Sequence, residues 1–177
     1  MDFRAEATIA GARDAVYRVD RDKLTELIDY LPNVRKIEIK SREEKDGKIK
    51  LVNIWHGGGE IPGAVRAFLS EGMLSWTDYA EWNEADWTVS WRSESHSFKN
   101  AVDSRGHNEF VELGPKRSMI RIIGKLDVDA SKVAGVPRLL AGKIGKMIEA
   151  FLVKQVQDNL KEVGKGVERY LAERGAP

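Results

Sequence analysis

Residues 140–171 read LAGKIGKMIEAFLVKQVQDNLKEVGKGVERYL, and the period of their apolar positions indicates the fold class. Apolar residues recur in this stretch every three or four positions, which is the spacing of one face of a helix. Lysine and acidic residues lie largely off that face. The pattern therefore predicts one long amphipathic helix at the end of the chain. Its apolar stripe consists of Leu140, Ile144, Ile148, Phe151, Leu152, Val156, Leu160, Val163, Val167 and Leu171.

Upstream of this helix the apolar residues alternate with polar ones, as in half-buried strands. The first such segment is Asp2 to Ile9, and residues 13–30 after it have helical spacing that breaks near Asp20 to Asp22. We interpret residues 13–30 as two short helices. Six more strand segments follow, separated by short turns: 34–41, 48–56, 74–82, 87–95, 107–113 and 117–129. These elements predict one α+β domain that spans residues 1–177.

Composition excludes several classes of function. The chain has 29 basic and 28 acidic residues, so it lacks the basic excess of most nucleic-acid-binding proteins, and we expect no nucleic-acid partner. It has no cysteine, which rules out disulfides and thiol nucleophiles and fits a cytoplasmic location. No signal peptide and no run of about 20 apolar residues is evident, so we expect no membrane span. Protein partners stay unknown at this level.

The order strand, two short helices, six strands and long helix resembles the helix-grip fold. The resemblance rests on the strand Asp2 to Ile9, the helical pair ending at Leu31-Pro32-Asn33-Val34, the charged hairpin around Asp46-Gly47, and the closing helix. It covers nearly the whole chain, but it is a resemblance of order and pattern, because the superfamily has no short invariant motif. START lipid-transfer domains, polyketide cyclases, coenzyme Q-binding proteins and birch-pollen-type allergens share this fold.

The resemblance implies a curved, seven-stranded antiparallel sheet wrapped around the long C-terminal helix. It also implies an apolar or amphipathic small molecule held between sheet and helix, and no cofactor. A minority of the superfamily are enzymes, so the resemblance implies the fold strongly and an activity weakly. In this fold the first half of the closing helix overhangs the cavity, where Gly142 and Gly145 would leave room for a ligand or for close packing.

Aromatic residues dominate the inward faces of the predicted strands. They either form plain core or line a ligand pocket, since pockets are mostly apolar and aromatic. Asn53 and Asp78 interrupt the same faces, and a buried polar group needs a hydrogen-bond partner, either a neighbour or a bound molecule. The inward tryptophans are Trp55, Trp76, Trp82, Trp87 and Trp91. The predicted ligand-binding residues are Asn53, Trp55, Trp76, Asp78, Trp91, Ser93, Gly142 and Gly145.

Asp78 is the one candidate catalytic residue, because burial would raise its pKa toward that of a general acid or base. No second inward titratable partner is evident. The run His56-Gly57-Gly58-Gly59 looks like an oxyanion-hole motif, but the accompanying G-x-S-x-G is absent, so we interpret it as a strand end with close backbone approach. The histidines lack metal-ligand spacing; we expect His96 to face solvent and predict no metal site.

Residues 61–69 carry their own apolar face beside three glycines, so we predict a lid formed by Ile61, Val65 and Phe68 over one mouth of the cavity. The leading hypothesis is binding or transport of an apolar or amphipathic small molecule, such as a lipid, quinone or polyketide. One alternative is an enzyme of the aromatase/cyclase type, which needs an inward acid/base pair. Another is a protein-binding module without ligand, which needs a filled interior and an exposed apolar patch.

Overall fold

A computed structural model describes residues 1–61 and 63–175, except for the side chains of Ala64 and Val65. Seven strands are present: β1 (Asp2–Ile9), β2 (Val34–Lys45), β3 (Lys48–Gly57), β4 (Ser75–Asn83), β5 (Thr88–Ser95), β6 (Val102–Gly114) and β7 (Arg117–Val128). The α-helices are α1 (Arg13–Asp22), α2 (Gly63–Arg66) and α3 (Ala141–Arg174). Short 3-10 turns occupy Leu24–Glu26, Ile28–Tyr30, Glu71–Met73, Ala130–Lys132 and Arg138–Leu140.

All seven strands belong to one antiparallel sheet in the order β1-β7-β6-β5-β4-β3-β2. The first strand thus pairs with the last, and the others follow in chain order as hairpins. The long helix α3 packs against β1, β7 and α1. This is the architecture that the resemblance implied: an open, curved sheet with a long C-terminal helix and short helical elements after β1.

The hairpin between β2 and β3 shows how local sequence sets the register. Asp46 and Gly47 both have positive φ, 53° and 74°, which is the conformation of a two-residue type I′ turn. β2 extends to Lys45, four residues beyond the predicted end at Ser41. The added residues are exposed and charged, so no apolar alternation marks them in the sequence. The second of the two predicted short helices takes the form of two 3-10 turns.

The buried residues form two main groups, one toward each end of α3. The first surrounds Tyr17, whose ring makes edge contacts with Trp82, Trp87 and Phe110 at centroid distances of 5.2, 5.3 and 4.9 Å. The second, here called the lower cluster, comprises Ile61, Leu69, Ala130, Ala141, Ile144, Ile148 and Phe151. Within the described residues, no helix has the length and apolar character needed to cross a bilayer.

Candidate functional site: an internal cavity

A cavity of about 340 Å³ lies between the concave face of the sheet and α3. That volume falls in the range of small-molecule sites, roughly 300–1,000 Å³. Its lining includes Trp82 and Leu160 from the group around Tyr17, and Ile148 and Phe151 from the lower cluster. The two buried groups therefore leave a space where they meet along the helix.

A band of four polar side chains crosses the floor of the cavity. Asn53 lies opposite Asp78, Asp78 opposite Ser93, and Ser93 opposite Ser104 in the strand register. Residues directly opposite each other project from the same face, so the band runs across β3, β4, β5 and β6. Ser93 Oγ donates a hydrogen bond to Asp78 Oδ1 at 3.2 Å. The rows on either side are largely apolar, for example Leu51, Ala80 and Trp91.

Five lining residues carry a buried polar atom that has no hydrogen-bond partner among the described residues. A buried polar atom without a partner costs about 1–3 kcal/mol, so these atoms call for water or a ligand group. Gln155 and Asn159 stand one turn apart on α3, and their amides therefore project from the same face of the helix. The atoms are Asn53 Oδ1, Trp55 Nε1, Trp82 Nε1, Gln155 Oε1 and Asn159 Oδ1.

Two carboxyl groups face the same cavity. Burial raises the pKa of Asp78 to about 7, although the hydrogen bond from Ser93 acts in the opposite direction. Burial also raises the pKa of Asp20, on α1, to about 7. Both residues are half-buried and border the cavity. Near neutral pH, each group can therefore either accept or donate a proton.

The sequence analysis did not predict three cavity residues, Asp20, Gln155 and Asn159. Each lies four residues from an apolar position, and this helical spacing could have identified them. Asp20 lies four residues after Val16 and four before Leu24, which places it on the apolar stripe of its helix. Gln155 and Asn159 occupy the ridge Phe151, Gln155, Asn159, Val163. The missed signal was thus a polar residue at a position that the helical spacing assigns to the buried face.

Six of the eight predicted ligand-binding residues border the cavity: Asn53, Trp55, Trp76, Asp78, Trp91 and Ser93. The Trp55 and Trp76 rings stack, with 5.8 Å between centroids and 9° between planes. Trp91 Nε1 donates to Asn108 Oδ1 at 2.9 Å. Trp87, by contrast, has a positive φ of 56° in the β4–β5 turn and packs against Tyr17 and Arg13, away from the cavity.

The prediction that Gly142 and Gly145 line the cavity is wrong. A β-carbon built on Gly142 would meet no atom within 4 Å, because this residue faces solvent. A β-carbon on Gly145 would lie 2.6 Å from the carbonyl oxygen of Val128, so Gly145 allows α3 to approach the end of β7. The first turns of α3 pack against the end of β7, and the helix first borders the cavity at Ile148.

The predicted lid contributes unequally to the cavity wall. Phe68 and its neighbour Leu69 border the cavity, whereas Ile61 packs in the lower cluster. The side chain of Val65 lies outside the described residues. The adjoining glycines permit close backbone approach, as predicted: the Gly57 amide donates to the Leu74 carbonyl at 2.5 Å, and Gly59 has a φ of 98° beside Asn33. Movement of this segment stays a prediction.

The histidines lie outside the cavity lining. His96 is exposed, as predicted, and hydrogen-bonds Thr77 and Ser75 at 2.8 and 3.2 Å. His56 contacts Glu38 at 3.1 Å. In the part of the chain that the structure describes, no three histidine, cysteine or acidic side chains cluster so as to hold a metal ion.

Comparison with solved structures identifies similar folds over the whole chain. The Zhui aromatase/cyclase from Streptomyces sp. R1128 superposes with a TM-score of 0.74 at 21% identity, covering 100% of this chain and 99% of that one. A protein from Thermus thermophilus has a TM-score of 0.71 at 19% identity, covering 98% and 99%. Norcoclaurine synthase from Thalictrum flavum, in complex with dopamine and hydroxybenzaldehyde, has a TM-score of 0.64 at 14% identity, covering 100% and 89%. No protein-family model and no curated protein matches the sequence.

Proposed function

We propose, from the helix-grip fold of this chain, that the protein binds an amphipathic organic molecule in the cavity between the sheet and α3. The observation that carries the proposal is the set of five buried polar atoms that lack a hydrogen-bond partner among the described residues and surround an otherwise largely apolar space. A ligand with an apolar body and hydrogen-bonding groups would satisfy both features. A purely apolar ligand would leave the polar atoms unpaired.

The arrangement of the polar groups narrows the class of ligand. Gln155 and Asn159 offer amides from the helix, while Asn53 and Asp78 offer polar groups from the sheet. A molecule with oxygen or nitrogen substituents at two or more positions of an apolar skeleton fits this distribution better than a simple alkyl chain. Quinones, polyketides and polar lipids are such molecules. The Thalictrum neighbour holds small aromatic compounds with polar substituents, dopamine and hydroxybenzaldehyde.

Fluorescence titration tests the proposal directly, because four tryptophans border the cavity. An amphipathic aromatic probe such as 1-anilinonaphthalene-8-sulfonate should bind saturably, with a Kd of roughly micromolar or lower, and change the tryptophan emission. Val156→Phe adds a ring to the cavity wall and should abolish saturable binding. Gln157→Phe places the same ring one position along α3, outside the lining, and should bind like the wild type.

Two results would contradict this function. One is a titration that never saturates for any amphipathic probe. The other is equal binding by both phenylalanine variants, since the probe would then occupy some other surface. If the probe binds saturably in the cavity, native mass spectrometry of protein purified from its own host should reveal the natural ligand as a non-covalent mass increment. A module that only binds proteins would have a filled interior, so the open volume of about 340 Å³ argues against that alternative.

A second candidate function is a cyclisation reaction on the bound molecule, as the aromatase/cyclase similarity suggests. The observation that favours it is the presence of two carboxyls, Asp20 and Asp78, in one cavity, each with a pKa of about 7. An ionised carboxylate could remove a proton from the carbon between two ketones. A protonated carboxyl could donate a proton to the oxygen of a second carbonyl while the resulting carbanion forms a bond to the carbon of that carbonyl.

Turnover of a poly-β-ketone substrate would separate binding from catalysis. If the carboxyls are catalytic, Asp20→Asn and Asp78→Asn should each lower kcat by roughly 100-fold or more while the probe still binds. A wild-type protein that binds such a ketone without accelerating its cyclisation is a carrier, and this result would eliminate the enzyme alternative.

A further inference from the structure

Two leucines on the turn before α3 are displayed to solvent. Leu139 is 100% exposed and Leu140 is 50% exposed, on the 3-10 turn Arg138–Leu140. Single exposed leucines are common on soluble proteins and need no explanation. Here their surroundings are unusual, because exposed cations stand on both sides of them. We call Arg138, Leu139, Leu140, Lys143 and Lys146 the α3 entry patch.

The charge of this region has one sign. From Ala130 to Ile148 the chain carries four basic residues and no acidic one. Lys132 pairs with Asp129 at 3.1 Å, whereas Arg138, Lys143 and Lys146 form no ion pair with any carboxylate in the described residues. The protein as a whole has a net charge of only +1, so three cations within nine residues that pair with no described carboxylate are a local concentration. They complement a negatively charged surface.

The patch adjoins the lower cluster, part of which borders the cavity. Val136 and Met147, which flank the patch in the sequence, pack against the lower cluster with Ile61 and Leu69. Leu69 and Ile148 of that cluster also border the cavity. Met73 borders the cavity too and is 39% exposed, so the cavity wall reaches solvent there.

We propose that the α3 entry patch docks the protein on the surface of an anionic lipid bilayer. Leucines on a protruding turn can enter the headgroup region while the neighbouring cations contact lipid phosphates. A stable protein–protein contact needs about 800 Å² from each partner, and a turn that presents two leucines offers a much smaller apolar area. The geometry therefore favours the lipid surface over a protein partner.

Vesicle flotation tests the proposal without any cavity ligand. Vesicles of phosphatidylcholine with about 30% phosphatidylglycerol should carry the wild-type protein upward, and pure phosphatidylcholine vesicles should not. About 0.5 M salt should release the protein, because exposed charges are screened at that ionic strength. Lys143→Gln with Lys146→Gln should weaken binding roughly 30-fold, and Leu139→Ser with Leu140→Ser at least about tenfold.

A matched control is available at the β6–β7 hairpin. Leu113 is 47% exposed there and Lys116 is also exposed, so Leu113→Ser with Lys116→Gln makes the same kind of change elsewhere. This variant should float like the wild type. Wild-type protein that stays unbound, or equal losses in the control and patch variants, would overturn the proposal. If immobilised polyglutamate retains the protein and the vesicles do not, the partner of the patch is an acidic protein. This result would also overturn the proposal. None of these results bears on binding in the cavity.

Discussion

Gly142 and Gly145 stand three residues apart in α3, yet the same substitution should have opposite effects at the two positions. Gly142→Ala removes a helix penalty of up to about 1 kcal/mol and places a methyl group in open solvent, so it should stabilise the protein. Gly145→Ala would push a methyl against the Val128 carbonyl and should destabilise by about 1–3 kcal/mol. Urea unfolding would measure both. Stabilisation by Gly145→Ala would show that α3 sits farther from β7 than described.

Asp78 should make stability depend on pH. Between its ordinary pKa of 3.8 and the raised value of about 7, the folded protein binds more protons at this site than the unfolded chain does. The free energy of unfolding contributed by Asp78 is therefore fully present below about pH 4 and falls as the pH rises to 7. The loss is at most about 4 kcal/mol, and water in the cavity would reduce it.

Asp78→Asn removes this titration while keeping an oxygen that can accept from Ser93. The variant should gain stability relative to the wild type as the pH rises from 4 to 7, because only the wild type must then bury a charge. Denaturant unfolding at several pH values would reveal the difference, since every other carboxyl is common to both proteins. A constant difference across this range would mean that the pKa of Asp78 is the same in the folded protein as in the unfolded chain.

At the level of whole elements, periodicity predicted the fold but not all of the site. The alternation in β3, β4 and β5 placed Asn53, Asp78 and Ser93 on the inward face, which the structure places along the cavity. A strand has only two faces, so alternation alone assigns every residue in it to one of them. A helix, by contrast, can be rotated about its own axis, and its packing partners decide which of its residues face the cavity. The close contact of Gly145 with Val128 is such a determinant, and it was invisible in the sequence.

The cavity-facing ridge of α3 gives a prediction with a matched control. Gln155→Leu replaces an amide whose Oε1 is buried without a described partner, so the ligand-free protein should become more stable by about 1 kcal/mol. The same change should weaken a ligand that hydrogen-bonds this amide by about tenfold. Gln157→Leu, two residues along and outside the lining, should change neither property. Thermal melts and probe titrations would measure the two effects.

The segment from Ile61 to Leu69 should respond to occupancy of the cavity. Phe68 and Leu69 touch the space that a ligand would fill, while the neighbouring strands are held by the sheet ladder. Hydrogen exchange in this segment should be faster than in β3 and β4 and should slow when ligand binds. If hydrogen-exchange protection of this segment is the same with and without ligand, Phe68 belongs to a fixed part of the cavity wall. The ligand would then enter by another route.

For the molecule as a whole, the open question at the sequence level was whether the inward tryptophans fill the core or surround a space. The answer depends on how far the curved sheet stands from α3, which long-range packing sets. Trp87 packs on Tyr17 away from the cavity, Trp82 contacts Tyr17 and also borders the cavity, and Trp55 and Trp76 stack on each other beside it. The same residue type on equivalent faces therefore serves both purposes, and alternation within a strand does not distinguish them.

A protein with an unfilled interior should be stabilised by any molecule that fills it. Binding only to the folded state adds RT ln(1 + [L]/Kd), or about 2.7 kcal/mol at a ligand concentration of 100 Kd. For a chain of this size, that energy raises Tm by roughly 5–10 °C.

A ligand that hydrogen-bonds Asn53 and Gln155 should give a larger shift in Tm than an apolar molecule of equal size at the same free concentration. The apolar molecule would leave the buried polar atoms of these two residues without hydrogen-bond partners. Differential scanning calorimetry with a matched pair, such as an alkyl hydroquinone, whose hydroxyls can donate to these amide oxygens, and the corresponding alkylbenzene, makes the comparison. Equal Kd values for the pair would mean that water already satisfies the polar atoms, and the cavity would then select its ligand by shape alone.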